Sequence, residues 1–120
     1  MLQFEELRLE LASYEDKLTD LAEALGLSKM IDEVAELEAE SAKDGFWDDI
    51  QRSQKLTQHM ASLKNKIKAY EDLQTAYEDA LVMIELSDEE GDLDLLEECQ
   101  NSVEAVEAEL EKQTLATLLS

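Results

Sequence analysis

Proline is absent from this chain of 120 residues, and glycine occurs only three times, at Gly26, Gly45 and Gly91. These are the residues that interrupt helices, one by removing an N–H donor and the other by excess backbone freedom. Cysteine occurs once, at Cys99, which excludes an intramolecular disulfide and a thiolate metal site and suits a reducing compartment. No apolar run approaches the roughly 20 residues that a membrane helix needs. Met1-Leu2-Gln3-Phe4-Glu5-Glu6 lacks the basic-then-apolar order of a secretion signal, so the cytoplasm is the expected location. Positive charge is also scarce: ten Lys and Arg face 31 Asp and Glu, a formal net charge of −21. A surface of that sign repels phosphate backbones and anionic lipid headgroups, which argues against generic nucleic-acid or membrane binding.

What remains is rich in Leu, Ala, Glu and Lys, the composition of long helices. Leu7, Leu11, Tyr14, Leu18, Leu21 and Leu25 alternate steps of four and three, a heptad seam on one helical face. Gly26 closes that helix, and Ser28 can cap a short second one with Ile31, Val34 and Leu37 inward and Met30 and Ala35 beside them. The pattern fails at Ala42-Lys43-Asp44-Gly45. A long helix then starts near Asp48 or Asp49, Asp48 with Gln51 fitting a capping box. Its seam runs through Leu56, Met60, Leu63, Ile67, Tyr70, Tyr77, Leu81 and Ile84, giving a rod of about 55–60 Å. Ser87-Asp88-Glu89-Glu90-Gly91-Asp92 reads as a polar turn. Leu96, Cys99, Val103, Val106 and Leu110 form the last seam, and Leu115, Leu118 and Leu119 extend the apolar content.

The expected fold is therefore all-α: an antiparallel, coiled-coil-like bundle of three long helices and one short, over about 2–25, 28–41, 48–86 and 92–118. Residues 1–120 form a single domain, with the last two long helices as a hairpin and the first completing a three-helix core. Leu56, Leu63, Ile67, Leu81, Leu96, Val103, Val106 and Leu110 are the expected buried positions. With every seam satisfied inside one chain and a large like charge opposing association, a monomer is expected.

Catalysis needs converging groups, and one His and one Cys on different helices do not supply them. Cys99 on a seam reads as a small buried thiol, and His59 beside Met60 as a boundary residue. The acidic turn before Gly91 fails as a calcium loop, because counting back from the glycine puts Leu86 at the first ligand position. No enzyme activity, cofactor, metal or small-molecule ligand is expected.

Two features stand out from the background. Between Ile50 and Tyr70 there is no acidic residue, while Arg52, Lys55, Lys64, Lys66 and Lys68, half of the basic residues, all fall there. They complement acidic neighbours (Glu33, Glu36, Glu38, Glu40; Glu104, Glu107, Glu109), or they meet an acidic partner or RNA phosphates. Phe46 and Trp47 are adjacent aromatics at the loop-to-helix junction, either plugging the end of the bundle or anchoring a partner. Arg52, Lys55, Lys64, Lys68, Phe46 and Trp47 are the candidate partner contacts.

The same residues carry a family likeness. Lys43-Asp44-Gly45-Phe46-Trp47-Asp48-Asp49 followed by Ser53-Gln54-Lys55, then Leu63-Lys64-Asn65-Lys66, the turn Ser87 to Asp92, and Thr117-Leu118-Leu119-Ser120 together resemble the N-terminal domain of bacterial class I peptide chain release factors of the release factor 2 type. The match spans essentially the whole chain. The resemblance implies a fragment of a longer factor, one lacking the codon-reading tripeptide and the glycine-glycine-glutamine motif of peptidyl-tRNA hydrolysis. It also implies a non-catalytic module whose partners are the ribosomal stalk base (proteins and ribosomal RNA) and the recycling GTPase, release factor 3. The competing reading is an acidic coiled-coil or spectrin-like adaptor that dimerises through its seams.

Overall fold

A computed structural model describes all of Met1–Ser120. The chain forms five α-helices and no strand: α1 Leu2–Ala12, α2 Glu15–Leu25, α3 Leu27–Ser41, α4 Ile50–Glu90 and α5 Leu96–Leu118. Single 3-10 turns, Phe46–Asp48 and Leu93–Leu95, precede α4 and α5. The all-α antiparallel bundle expected from the seams is the fold the chain adopts.

α4 runs unbroken for 41 residues, a rod of about 60 Å, and sets the 63 Å length of the molecule. Against it α1, α2 and α3 run antiparallel in succession, like one helix bent twice. The register is fixed at intervals: the Met1 ammonium on Asp88, the Tyr70 hydroxyl donating to the Leu18 carbonyl (3.1 Å), His59 against Glu33 (2.7 Å) and Arg52 against Glu40 (3.1 Å). α5 returns beside only the C-terminal half of α4, from Cys99 against Ser87 to Gln113 Nε2 donating to the Ala69 carbonyl (2.9 Å).

The molecule thus has two unlike ends. At the head, α1, α2, α5 and the second half of α4 enclose a core of 14 buried residues. Phe4, Leu11, Leu73, Ile84, Val103 and Val106 are fully buried there, each worth about 1.5–3 kcal/mol of transfer free energy. At the other end α3 and the first part of α4 form a two-helix arm with no third helix. Its interior is thin, consisting of Met30, Phe46, Ser53 and Leu63.

Several expectations are corrected by this layout. The hairpin of the last two helices covers half of α4, not all of it. Of the eight expected core positions Leu63, Val103, Val106 and Leu110 are buried, while Leu56, Ile67, Leu81 and Leu96 are half-buried. On α3 the buried residue is Met30, at 7 % exposure, and Ile31 lies outside at 46 %, because α3 packs on one helix and needs only a narrow stripe. The first helix is not continuous over 2–25: the Ser13 hydroxyl donates to the Glu10 carbonyl and Ser13 and Tyr14 tighten into a turn. Both residues keep right-handed helical angles, so the seam carries on into α2. Ser28 caps nothing; α3 begins at Leu27, directly after Gly26.

The long helix also runs past Ser87, which is buried against Cys99, and stops at Gly91. There φ is +64°, and the amides of Gly91 and Asp92 donate to the carbonyls of Asp88 (3.0 Å) and Ser87 (3.3 Å). This is a Schellman cap, which a residue with a Cβ enters only with strain.

Candidate functional site

The arm carries all six of the candidate contact residues, and its geometry separates them. At its tip Gly45, with φ +81°, turns the chain out of α3. A Cβ on Gly45 would stand 2.9 Å from Asp48 Oδ2. The 3-10 turn Phe46–Asp48 follows, and the Asp49 carboxylate then accepts the Arg52 amide (3.1 Å) to cap α4. The cap is therefore Asp49 rather than Asp48. Ser53, fully buried, sets its hydroxyl against the carbonyls of both Phe46 and Asp49. These contacts lock the turn onto the first coil of α4.

The two adjacent aromatics take opposite roles. Phe46 points inward at 6 % exposure and closes the arm, whereas Trp47 stands outside at 57 %. Their rings meet edge to face at 90°, with centroids 5.2 Å apart, so the buried ring braces the exposed one. Ile50, the first residue of α4, is 62 % exposed at the same end.

The basic residues divide as well. Three of them pair with carboxylates of α3: Lys64 with Glu38 (2.9 Å), Arg52 with Glu40 (3.1 Å), and His59, if protonated, with Glu33 (2.7 Å). Lys43 adds to Glu40 at 2.8 Å, and this doubly contacted carboxylate is held below the usual Glu range by hydrogen bonds from Lys43 and Arg52. Lys68 instead pairs along its own helix with Asp72 (2.8 Å), a hydrogen bond that raises its pKa. Lys55 and Lys66 have no ion pair. Arg52, His59 and Lys64 thus form a ladder that zips α3 to α4, and Lys55 is the candidate cation left without a carboxylate. Lys64 and Lys68, one turn apart, thus differ: the first bridges α3 and α4, and the second does not.

Charge is distributed as unevenly as shape. Residues 28–69 carry eight carboxylates against seven Lys and Arg, while the rest of the chain carries 23 against three, Arg8, Lys17 and Lys112. Nearly all of the net −21 therefore lies on the head. A groove of about 590 Å³ between α2 and α5, lined in part by Tyr14, Leu21, Leu110, Leu115 and Leu118, belongs to this acidic end. Beside it the Tyr14 hydroxyl lies within reach of the carboxylates of Glu107 and Glu10, and its one proton serves one of them at a time. Burial and these two partners raise the phenol's pKa. No His, Cys, Asp and Glu converge as metal ligands would, and no helix is long and apolar enough to cross a membrane.

A nearly neutral helical arm with a braced aromatic at its tip, standing on a strongly acidic bundle, makes the chain a two-ended all-α protein. The comparisons place it further. The sequence model of the PCRF domain matches residues 30–120, which takes in all of α4 and α5 and nearly all of α3, and the chain belongs to that family. Similar curated proteins include peptide chain release factor 2 of Exiguobacterium sp., 31 % identical over 99 % of this chain and 32 % of its own length. Those of Clostridium perfringens (30 % identical, 100 % of this chain, 33 % of its own length) and Corynebacterium glutamicum (34 %, 78 %, 26 %) agree. The chain spans about a third of the length of the curated relatives it matches. No solved structure matches it significantly.

Proposed function

We propose that this chain is the N-terminal, non-catalytic binding module of a release factor 2, acting in translation termination in the cytoplasm. The observation that carries the reading is the PCRF match over 30–120, together with relatives named peptide chain release factor 2 along nearly the whole chain. In this reading the module contacts the ribosomal stalk base, protein and RNA, and is linked to release factor 3. It acts as a monomeric part of the longer factor, without cofactor, metal or small-molecule ligand.

The charge partition supports the arm as the contacting end. A head with 23 carboxylates and three cations is repelled by the phosphates that dominate a ribosomal surface, and the near-neutral arm is not. The contact candidates Arg52, Lys55, Lys64, Lys68, Phe46 and Trp47 all lie on this arm. Four of them have partners within the chain, Phe46 by burial and the others by ion pairs, which leaves Trp47 and Lys55 free.

The test is co-sedimentation of the chain with purified bacterial large ribosomal subunits and with core particles stripped of their stalk-base proteins. Binding to the first and loss of binding to the second is the expected result. Equal binding to both, or to neither, sinks the stalk-base reading.

A further inference from the structure

Trp47 is the only tryptophan of the chain and the one large aromatic displayed at the arm tip. Exposure alone is ordinary for a surface residue. Its setting is less so. Trp47 rests on Phe46, the turn beneath is tied down by Ser53, and Asp49 fixes the start of α4. An aromatic held this way loses little freedom when bound, which removes a large cost of association. Ile50 widens the apolar surface at the same end.

The chemistry around it selects the partner. Asp44, Asp48 and Asp49 flank Trp47 within three residues, all exposed and none in an ion pair. A phosphate backbone brought up to stack a base on the indole would meet three carboxylates with no counterion in the chain, although that of Asp49 also accepts the Arg52 amide. An apolar protein cleft with a basic rim would meet complementary charge instead. We infer that Trp47, with Ile50 beside it, is a docking anchor that inserts into an apolar cleft on a ribosomal protein whose rim is basic, the rim facing Asp44, Asp48 and Asp49. This rests on the ribosome-binding reading above and says which atoms make the contact and with what.

The experiment uses the chain labelled with 5-fluorotryptophan, which gives a single fluorine signal at Trp47, together with Trp47→Ala, Ile50→Ser and the head control Glu104→Gln. Helical content and melting are checked first. Trp47 is mostly exposed, so its truncation leaves the fold standing. Each protein is titrated with purified bacterial large ribosomal subunits and with naked stalk-base RNA. The expected result is loss or shift of the fluorine signal on subunits and none on RNA. Affinity for subunits should fall about tenfold or more for Trp47→Ala, less for Ile50→Ser, and stay unchanged for Glu104→Gln. Full binding by Trp47→Ala overturns the anchor while leaving the ribosomal reading intact. Tight binding to naked RNA that depends on Trp47 overturns the protein cleft in favour of base stacking. No binding of the unaltered chain to subunits removes both.

Discussion

The three tyrosines, Tyr14, Tyr70 and Tyr77, all lie on the head, and burial raises the pKa of each. In the unfolded chain they lose their protons near the ordinary value of 10.0, while the folded protein keeps them. The unfolded state then binds fewer protons than the native one, so stability falls as pH rises above about 10. Melting temperature measured from pH 8 upward should hold level and then decline. Tyr14→Phe should weaken the decline, since Tyr14 has the largest shift, with two carboxylates adding to burial.

Gly45 gives a second test among single residues. Its φ of +81° opposes a side chain, while the atom 2.9 Å from a would-be Cβ is the end of the exposed Asp48 side chain, which can swing aside. Gly45→Ala should cost about 1–2 kcal/mol by thermal or urea melting and loosen the turn that holds Trp47.

Between elements, the ladder joining α3 to α4 is built of half-exposed pairs, each worth about 0–1 kcal/mol. Lys64→Glu sets a carboxylate against Glu38 on the facing helix, whereas Lys68→Glu disturbs a pair within α4. Reversing Lys64 should therefore lower stability by about 0.5–1 kcal/mol and Lys68 by less. The exchange Glu38→Lys with Lys64→Glu should recover most of the loss. If both reversals act equally, the cross-helix pairing is not what the basic stretch is for.

The α3 half of this complementarity was legible in the sequence, because a helix that excludes acids next to one crowded with them has few other arrangements. The expected α5 half is not formed, since Glu107 and Glu109 meet Tyr14 and Gln113 instead and no basic residue of the stretch pairs with α5. The seam from Leu7 to Leu21 was equally legible, since its period survives the tightening at Ser13. That tightening was not, for Ser13 leaves the backbone in the same region as its neighbours. The orientation of α3 was hidden for another reason. A helix packed against one partner buries a stripe too narrow for periodicity to choose between Met30 and Ile31. Phe46 and Trp47 likewise take opposite sides of a 3-10 turn, and two adjacent aromatics carry no sign of which goes in.

For the molecule as a whole, the radius of gyration is 19.3 Å, against about 14 Å for a compact chain of this length. X-ray scattering in solution should return the larger value, and sedimentation should give a monomer at all concentrations. A dimer that persists on dilution would favour the adaptor reading. The two ends also differ in how firmly they are held. The head has the 14-residue core, and α3 has only Met30 buried. Amide exchange should be slowest in the second half of α4 and in α5, and faster in α3 and the opening turns of α4.

α4 joins these ends without a hinge. A stiff rod anchored at one end behaves as a lever, converting rotation into travel. A tilt of about 5° in the head would sweep the tip by about 5 Å over a helix of about 60 Å. Whatever holds the arm tip therefore senses small reorientations of the bundle, and a push on the tip is felt with the same mechanical advantage in reverse, as torque on the core.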